Sequence, residues 1–375
     1  MLPCLAYTGL ERQLYNLAPA LVSSGHDVRI AYVRGAIPPG VELTGVKLHH
    51  LKARGSYDPI LCIRFLKLVS RIRPDLIQTW SLPHDVMGGF VARISNVPWV
   101  IREPSSTDSN RKTWKERLRI RVARSVDAVV SNSHGGDAYW QGFLPPRRRY
   151  LIRNGIALEA IEGTQPAVRS DLGIAVDEKL VIYAGRLSPE KNVIPLVEAL
   201  AHIAQTARIT ALLCGDGPDE QAIADRIATL TPAHSIRLMG VVPSQKLWGL
   251  MKCADASILP SDYEGFPNAV VEAMACGCAI VVSDIPAHRE FLDEHSAVFV
   301  RQKDPNSIAQ GLMRIFQSKE ETNRRILRAR AIASEWSIKR MATEYERVYL
   351  DVLRHRQALS DNTGRRKRSA LGTHL

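Results

Sequence analysis

This sequence has little of what marks a membrane-spanning, fibrous or secreted protein. No apolar run reaches the roughly 18–20 residues that span a bilayer, so we do not expect an integral membrane protein. The first residues, MLPCLAYTGLERQL, lack the basic segment and the apolar core of a secretory signal. No repeat with a period of about 20–50 residues is visible, which excludes a solenoid. The composition, with 45% hydrophobic and 23% charged residues, is ordinary for a soluble globular protein.

Metal-binding cysteine patterns and several familiar catalytic motifs are also absent. The six cysteines form no disulfide framework, and Cys276 and Cys278 have neither a second pair nor a His at zinc spacing. We therefore expect no metal site, free thiols and a cytoplasmic location. The sequence has no P-loop, no Gly-x-Ser-x-Gly elbow, no His-Glu-x-x-His and no Asp-x-Asp. Hydrolases, kinases and metal-dependent enzymes thus find no support.

What the sequence does have is positive charge, and that charge is unevenly distributed. The net charge is +12, and residues 1–163 hold 23 Lys and Arg against 13 Asp and Glu. Residues 164–353 are slightly acidic, and the tail after them is basic again. A nucleic acid, a phosphorylated substrate or an anionic membrane would each suit a basic first half. We do not expect nucleic acid, because helix-turn-helix, zinc and aromatic RNA-binding signatures are all missing.

Short runs rich in Val and Ile alternate with helix-period segments along the whole chain. This alternation predicts parallel sheets covered by helices on both faces, which is an α/β fold with two Rossmann-like, doubly wound domains. Only Leu2–Tyr7 precedes the first glycine turn, so the first strand is abbreviated or the start of the chain is missing. We predict an N-terminal domain over 1–163, a second domain over 164–336, a terminal helix over 337–357 that crosses back to the first domain, and a disordered basic tail over 358–375.

The sharpest motif is GRLSPEKN, which lies between a predicted strand and a predicted helix. It places Arg186 and Lys191 at the carboxyl end of a strand, where open parallel sheets bind ligands. Two cations on one loop suit a diphosphate, with Arg as a forked donor and Lys as a compact charge. The alternative is a surface loop whose charges are solvated.

A second motif, SDYEGFPNAVVEAMACG, joins a predicted strand to a predicted helix. The free N–H groups and the dipole at the helix N-terminus favour a phosphate. Glu264 before the helix and Glu272 inside it can flank that anion and hold sugar or ribose hydroxyls. The alternative is a capping acid with a buried, hydrogen-bonded Glu. The glycine turn CGDGPDE is too short for a dinucleotide fingerprint and is a weak signal by itself.

Taken together, GRLSPEKN, GDGP and EGFPNAVVEAMACG resemble the retaining glycosyltransferases of family 4, also called glycosyl transferases group 1. The resemblance continues at TGLERQLYNLAPAL, SNSHGG and IRNGI, so it covers nearly the whole chain. It implies the GT-B architecture, in which two Rossmann-like domains face a cleft. The first domain would bind the acceptor and the second the donor.

The resemblance also implies roles for individual residues. Arg186 and Lys191 would bind the diphosphate of the donor, and Glu264 would contact hydroxyls of the transferred sugar. Glu272 would hold the ribose, and Gly9 would touch the distal phosphate from across the cleft. The remaining donor-binding positions are the turn glycine and the start of the helix, namely Gly185, Phe266, Pro267, Asn268 and Ala269. No metal and no separate cofactor are implied, and the donor, expected to be a UDP-sugar, is a substrate.

The sequence departs from the family where a His often lies near the transferred sugar. Here that stretch reads Arg102-Glu103-Pro104, so a different acid or cation could serve. His84 could face the cleft, or it could be a structural histidine of the core. The missing His leaves the choice of donor sugar open.

The segment RKTWKERLRIRVARS, over 111–125, carries seven basic residues. One interpretation is a basic amphipathic helix that rests on anionic lipid at the membrane face, which would make the protein peripheral there. The other is a solvated surface helix that packs its apolar stripe, Trp114, Leu118 and Val122, inward.

These observations lead to a hypothesis about function. The chain would be a metal-independent retaining hexosyltransferase that moves a sugar from a nucleotide-sugar to a glycan or lipid-linked acceptor in cell-surface polysaccharide assembly. The acceptor hydroxyl would attack from the face that the diphosphate leaves, and a covalent intermediate on Glu264 is the alternative route. Two rival functions are a catalytically impaired partner that binds nucleotide-sugar and a GT-B sugar-nucleotide epimerase.

Overall fold

The computed structural model describes residues 2–5, 9–38, 40–55, 58–104, 113–230 and 235–371, without the side chains of 2–4 and 360–371. The chain divides into two compact units. The first comprises Met1–Gly155 and Ile338–Leu375, and the second comprises Ile156–Ser337. Both units are α/β with parallel strands.

The first unit begins with alternating strands and helices. These elements are β1 (Leu2–Leu5), α1 (Gly9–Ser23), β2 (Arg29–Gly35), β3 (Lys47–His50), α2 (Pro59–Ile72), β4 (Ile77–Thr79), α3 (Leu82–Ser95), β5 (Trp99–Glu103), α4 (Trp114–Ala123), β6 (Ala128–Ser131), α5 (His134–Gln141) and β7 (Arg149–Leu151).

The second unit continues the alternation, and the chain then returns to the first unit in one long helix, α14 (Ile338–Leu371). The elements of the second unit are α6 (Leu158–Gly163), β8 (Lys179–Ala184), α7 (Val193–Ala204), β9 (Ile209–Cys214), α8 (Glu220–Leu230), β10 (Ile236–Gly240), α9 (Ser244–Cys253), β11 (Ala256–Leu259), α10 (Asn268–Ala275), β12 (Ile280–Ser283), α11 (Pro286–Arg289), β13 (Val298–Val300), α12 (Pro305–Gln317) and α13 (Lys319–Ala333).

Two of the expected boundaries differ from the structure. The sequence predicts a division after residue 163, whereas the second unit begins at Ile156. The N–H of Ile156 donates to the carbonyl of Trp336, and Ile156 bridges Ser337. We also expected a disordered tail from residue 358, whereas α14 continues to Leu371. Arg, Lys, Leu and Ala favour helix even where no apolar stripe is present, so the absence of a stripe did not reveal this extension.

The strands of the first unit form two parallel sheets, β1-β2-β3 and β4-β5-β6-β7. Strand β1 is only four residues long and pairs with β2 at Tyr32, Arg34 and Gly35, so it leaves the start of β2 without a neighbour on that side. A pocket of about 360 Å³ lies there, lined by residues of α1, α2, β2, β4 and α14. One apolar cluster lies between the sheets and α2, α3 and α5, and another includes residues of α1 and α14.

The second unit contains one six-stranded parallel sheet in the order β10-β9-β8-β11-β12-β13. Its four inner strands, β8, β9, β11 and β12, are almost wholly buried, which agrees with the continuous apolar runs of the sequence. After β8, the chain adds β9 and β10 on one side of it, and after β11 it adds β12 and β13 on the opposite side. The order of strands therefore reverses between β8 and β11.

No described helix of either unit is both long and apolar enough to cross a membrane. The five cysteines whose side chains are described are free.

A buried ionic cluster joins α3, α4 and β5 in the first unit. The Arg119 guanidinium lies 2.8 Å from a carboxylate oxygen of Asp85, 2.7 Å from one of Glu103 and 3.3 Å from one of Glu116. Burial raises the pKa of Asp85 to about 7 in spite of Arg119. The inward face of α4 therefore combines this ionic cluster with Val122 and Ala123, which pack on the apolar core, and an inward apolar stripe is wrong at Trp114, which is 67% exposed.

The raised pKa of Asp85 predicts a pH dependence of stability. Because the folded protein holds this proton more tightly than the unfolded chain, Asp85 contributes stability at low pH that is lost as the pH rises from about 4 to about 7. Asp85→Asn removes that titration, so the deficit of the variant relative to the parent should be larger at pH 5 than at pH 7.5. Thermal unfolding of both proteins across this range tests the expectation, and a deficit independent of pH would contradict it.

Candidate functional site

The loops that follow β8 and β11 lie at the carboxyl edge of the second sheet, where the strand order reverses. Such a reversal leaves a crevice between the outgoing loops, which is the usual ligand site of open parallel sheets. The loop after β8 contains Gly185–Asn192, and the loop after β11 contains Pro260–Pro267. The two strongest motifs of the sequence are therefore neighbours at the switch point.

The loop after β8 presents Arg186 to solvent and holds its own backbone in place. The Tyr183 hydroxyl donates to the carbonyl of Arg186 over 2.8 Å. Pro189–Lys191 form a single 3₁₀ turn, and α7 begins only at Val193, after Asn192 in the left-handed conformation. The Arg186 side chain is exposed, and no described residue forms an ion pair with it. Its guanidinium is thus available to an anion.

The glycine turn after β9 is the platform on which this loop rests. A Cβ atom on Gly215 would lie 1.9 Å from the carbonyl oxygen of Gly185, and one on Gly217 would lie 2.1 Å from that of Leu187. The N–H of Gly185 donates to the carbonyl of Cys214, and the N–H of Leu187 donates to that of Asp216 over 2.7 Å. The GDGP motif, weak in the sequence, therefore sets the position of the Arg186 loop through backbone contacts that only glycine permits.

Lys191 and Glu264 meet directly. The Lys191 ammonium donates to Oε1 of Glu264 over 2.5 Å, and the Ser261 hydroxyl donates to the same oxygen over 2.7 Å. Both side chains are mostly buried, with 17% of Lys191 and 10% of Glu264 exposed. Each sequence motif thus supplies one partner of a shielded ion pair, which fixes both side chains at the same point of the crevice.

Further contacts bind the two loops into one assembly. The Asn192 amide donates to the carbonyl of Pro260 over 2.9 Å and to a carboxylate oxygen of Asp262 over 2.7 Å. The N–H of Asp262 donates to the carbonyl of Glu190, and its carboxylate pairs with Lys303. Asn192 makes these contacts from a left-handed backbone conformation, with φ of 53°. The assembly is therefore held by contacts within the protein itself.

Helix α10 begins directly after the second loop, but its first residues offer fewer free donors than expected. Pro267 has no N–H, and the N–H of Asn268 donates to the carbonyl of Phe266 over 3.0 Å. The Phe266 ring is buried against Phe291 and Trp336, so it anchors the helix start. Of the four positions that we expected to meet a phosphate, Pro267 and Asn268 have no free N–H, which leaves the backbone groups of Phe266 and Ala269.

Glu272 lies in the second turn of α10 and is buried. The structure thus places it on the helix that follows the Glu264 loop, whereas Lys191 and Glu264 are in direct contact. Its assignment to the ribose stays a prediction.

His288 is a residue of the site that the sequence did not reveal. It is fully buried in α11, and its Nδ1 lies 2.8 Å from the carbonyl oxygen of Ser283. The Ser283 hydroxyl donates in turn to the carbonyl of Ser261, which belongs to the Glu264 loop. Burial lowers the pKa of His288, so the ring is neutral. Through Ser283, the ring is connected to the Glu264 loop. The only sequence signal was its position just after a strand.

The remaining predicted residues lie in the first unit. Gly9 is the exposed first residue of α1. His84 is fully buried in α3 with its Nδ1 2.9 Å from the Ser81 hydroxyl, and burial lowers its pKa to about 3, so it is neutral. Arg102 is also buried, where it donates to the Asn154 side chain over 2.5 Å and lies over the Trp80 ring. His84 and Arg102 thus both lie within the core of their unit.

No group of three or more His, Cys, Asp or Glu side chains suited to a metal ion occurs among the residues that the structure describes. In the second unit, the charged groups brought together at the switch point include the Lys191–Glu264 pair, the Asp262–Lys303 pair and the exposed Arg186.

Comparisons with known proteins agree with the fold and with its two-part organisation. The family model described as Glycosyltransferase Family 4 matches residues 7–160, and the model described as Glycosyl transferases group 1 matches residues 164–332. Among solved structures, the Anabaena protein HepE in complex with UDP-glucose has a TM-score of 0.79 at 19% identity, with 92% of this chain and 97% of that chain covered. A sucrose-phosphate synthase from Thermosynechococcus elongatus also has a TM-score of 0.79, at 19% identity, and covers 94% and 96%.

Similar sequences extend over most of the chain. An uncharacterized glycosyltransferase of Methanocaldococcus jannaschii is 32% identical over 82% of this chain and 85% of its own length. A glycogen synthase of Mycobacterium tuberculosis is 25% identical over 93% and 92%. The predicted resemblance and the predicted α/β fold class are confirmed. This chain belongs to the glycosyltransferases of family 4, with the GT-B architecture.

Proposed function

We propose that the protein is a retaining, metal-independent hexosyltransferase that transfers a sugar from a UDP-sugar to a glycan or lipid-linked acceptor in the assembly of a cell-surface polysaccharide. The observation that carries the proposal is the joint placement of Arg186, Lys191 and Glu264 on interlocked loops at the switch point. Two findings on similar proteins support the donor and pathway classes. HepE binds UDP and UDP-glucose, and a putative teichuronic acid biosynthesis glycosyltransferase of Bacillus subtilis is 28% identical over 64% of this chain and 61% of its own length.

The proposed chemistry follows from where positive charge lies. The bond between the anomeric carbon and the phosphate oxygen breaks, and negative charge grows on the diphosphate. Arg186 and Lys191 stabilise that growing charge more than the ground state, which is the requirement for catalysis. The acceptor oxygen bonds to the anomeric carbon on the face that the diphosphate leaves, and its proton passes to the departing phosphate oxygen.

Glu264 is better suited to hold a sugar hydroxyl than to attack the sugar. Its Oε1 already accepts hydrogen bonds from Lys191 and Ser261, and both donors lower the nucleophilicity of the carboxylate. Its other oxygen can accept a hydroxyl of the transferred sugar. The covalent route therefore has less support than direct transfer.

The rival functions make different demands. An epimerase would need acid and base residues at the sugar, whereas the titratable pairs described at the switch point, Lys191 with Glu264 and Lys303 with Asp262, are already engaged in ion pairs. An impaired nucleotide-sugar-binding partner would bind the donor but release no nucleotide when an acceptor is supplied. Screening UDP-sugars by thermal shift and then measuring UDP release with lipid-linked acceptors separates these cases, and binding without release would overturn the proposed activity.

The first variant that tests the proposal is Arg186→Ala. Because Arg186 is exposed and forms no ion pair with a described residue, the thermal stability of the variant should equal that of the parent. Loss of one preorganised charge contact should lower kcat by about 100-fold. Arg324→Ala, which removes an exposed arginine from α13, is the matched control and should leave kcat unchanged. UDP release at saturating donor measures both, and equal rates in Arg186→Ala and the parent would refute the role of Arg186.

A second variant tests the platform beneath the loop. Gly215→Ala must displace the backbone at Gly185, because its Cβ would lie 1.9 Å from that carbonyl oxygen. Arg186 would then move with the loop, and misplacement by about 1 Å commonly costs about 100-fold in rate. Gly163→Ala is the control, since no atom lies within 4 Å of its added Cβ. Donor affinity, measured by calorimetry, and the rate of UDP release should both fall in Gly215→Ala and should equal those of the parent in Gly163→Ala.

A further inference from the structure

Helices α2, α3 and α4 of the first unit form a continuous layer, because α3 packs against α2 on one side and α4 on the other. Their inward residues pack on the sheets, including Leu61 and Phe65 of α2 and Val91 of α3. The outward surface of these three helices is called the α2–α4 face below.

Every exposed charged side chain on the three helices is a cation. The cations are Arg64, Lys67, Arg71, Arg93, Lys115, Arg117 and Arg121. All residues of the three helices are described, and the acids that they contain, Asp85 and Glu116, are buried in the ionic cluster. Because both acids of these helices are buried in the cluster, every exposed charge on the α2–α4 face is positive.

Large apolar side chains project from the same face. Ile60 and Ile63 of α2 are 50% and 56% exposed, Phe90 and Ile94 of α3 are 49% and 67% exposed, and Trp114 of α4 is 67% exposed. They alternate with the cations at helical spacing, as in Trp114, Arg117 and Arg121. Exposed apolar groups gathered among basic ones mark an interaction surface rather than ordinary solvated helix.

We propose that the α2–α4 face docks on a lipid bilayer that carries anionic headgroups. Phosphate groups of the lipids would pair with the cations, each of which strengthens binding about fivefold near such a surface. The apolar side chains would enter the boundary between headgroups and acyl chains, where Trp and Phe are favoured. An acidic protein or a nucleic acid would satisfy the cations but would offer no acyl layer for Ile60, Ile63 and Ile94.

This inference deepens the proposed function, because it supplies a reason for the acceptor to be lipid-linked. Its test requires no turnover, so the two proposals can fail separately. Donor binding by the second unit, measured on the same preparations, reports on the proposed function alone.

The test is co-sedimentation of the full chain with vesicles of phosphatidylcholine alone or with about 30% phosphatidylglycerol. The parent should bind the anionic vesicles, and binding should weaken as salt is raised from about 0.05 to about 0.5 M. Arg64→Gln with Arg117→Gln and Arg121→Gln should lower the partition coefficient roughly a hundredfold. Phe90→Ser with Ile94→Ser should lower it at least tenfold while both variants keep donor binding.

The matched control replaces exposed residues of like chemistry in the second unit. Arg324→Gln with Arg328→Gln and Leu327→Ser removes two cations and an exposed leucine from α13, and it should bind the vesicles like the parent. Absence of parent binding, equal binding to neutral and anionic vesicles, or an equal loss in the control would each overturn the proposal. So would retention by duplex DNA in place of vesicles.

Trp114 provides a direct spectroscopic readout. Of the six tryptophans, Trp114 is the exposed one, whereas the others are buried or half-buried. Its emission should shift to shorter wavelength when anionic vesicles are added, and lipids brominated in their acyl chains should quench it. Trp114→Phe should remove both responses. A parent that sediments with vesicles but shows neither response would contradict insertion through this face.

Discussion

The second unit depends on one steric constraint, the crossing of two backbone segments at the carboxyl edge of its sheet. Gly215 and Gly217 lie so close to the carbonyls of Gly185 and Leu187 that no side chain fits between them. Hydrogen bonds from the loop to Cys214 and Asp216 close the contact. Arg186 and Lys191 lie on the loop that this crossing supports, and Lys191 in turn holds Glu264. The proposed donor site is therefore built outward from a contact between two main chains.

Much of the fold and part of the site could be predicted from the sequence, because both depend on local pattern. Alternating apolar runs and helical segments give the α/β class, and charges next to strand ends give Arg186, Lys191 and Glu264. The GDGP turn is a weak signal in the sequence because its glycines are required by a close contact with a loop about thirty residues away. No local pattern records that contact. His288 was missed for the same reason, since its contact with the Glu264 loop runs through Ser283 and Ser261.

The first unit shows where a periodicity argument fails. An apolar stripe on a surface helix is expected to face the core. In α4 the inward positions instead carry Glu116 and Arg119, which join Asp85 and Glu103 in a buried ionic cluster, and Trp114 faces outward. Hydropathy cannot indicate that a buried charge has partners on other helices and strands, so the interpretation that packs the apolar stripe inward is wrong at Trp114. Because the acids of α3 and α4 are buried in this cluster, the charged side chains exposed on these helices are all positive.

The ion pair between Lys191 and Glu264 has a consequence for the reaction cycle of the proposed enzyme. A diphosphate that recruits the ammonium of Lys191 would deprive Oε1 of Glu264 of one of its two donors, and a sugar hydroxyl bonded to the other oxygen would restore a donor to the same carboxylate. Under the proposed function, nucleotide and sugar would then be recognised cooperatively, because the contact with the sugar compensates for the hydrogen bond that the diphosphate displaces. The nucleotide product, which has no sugar, would leave the Glu264 carboxylate short of one hydrogen-bond donor and would therefore be held less tightly. Release of the nucleotide would thus be favoured by Glu264, the same carboxylate that would select the donor.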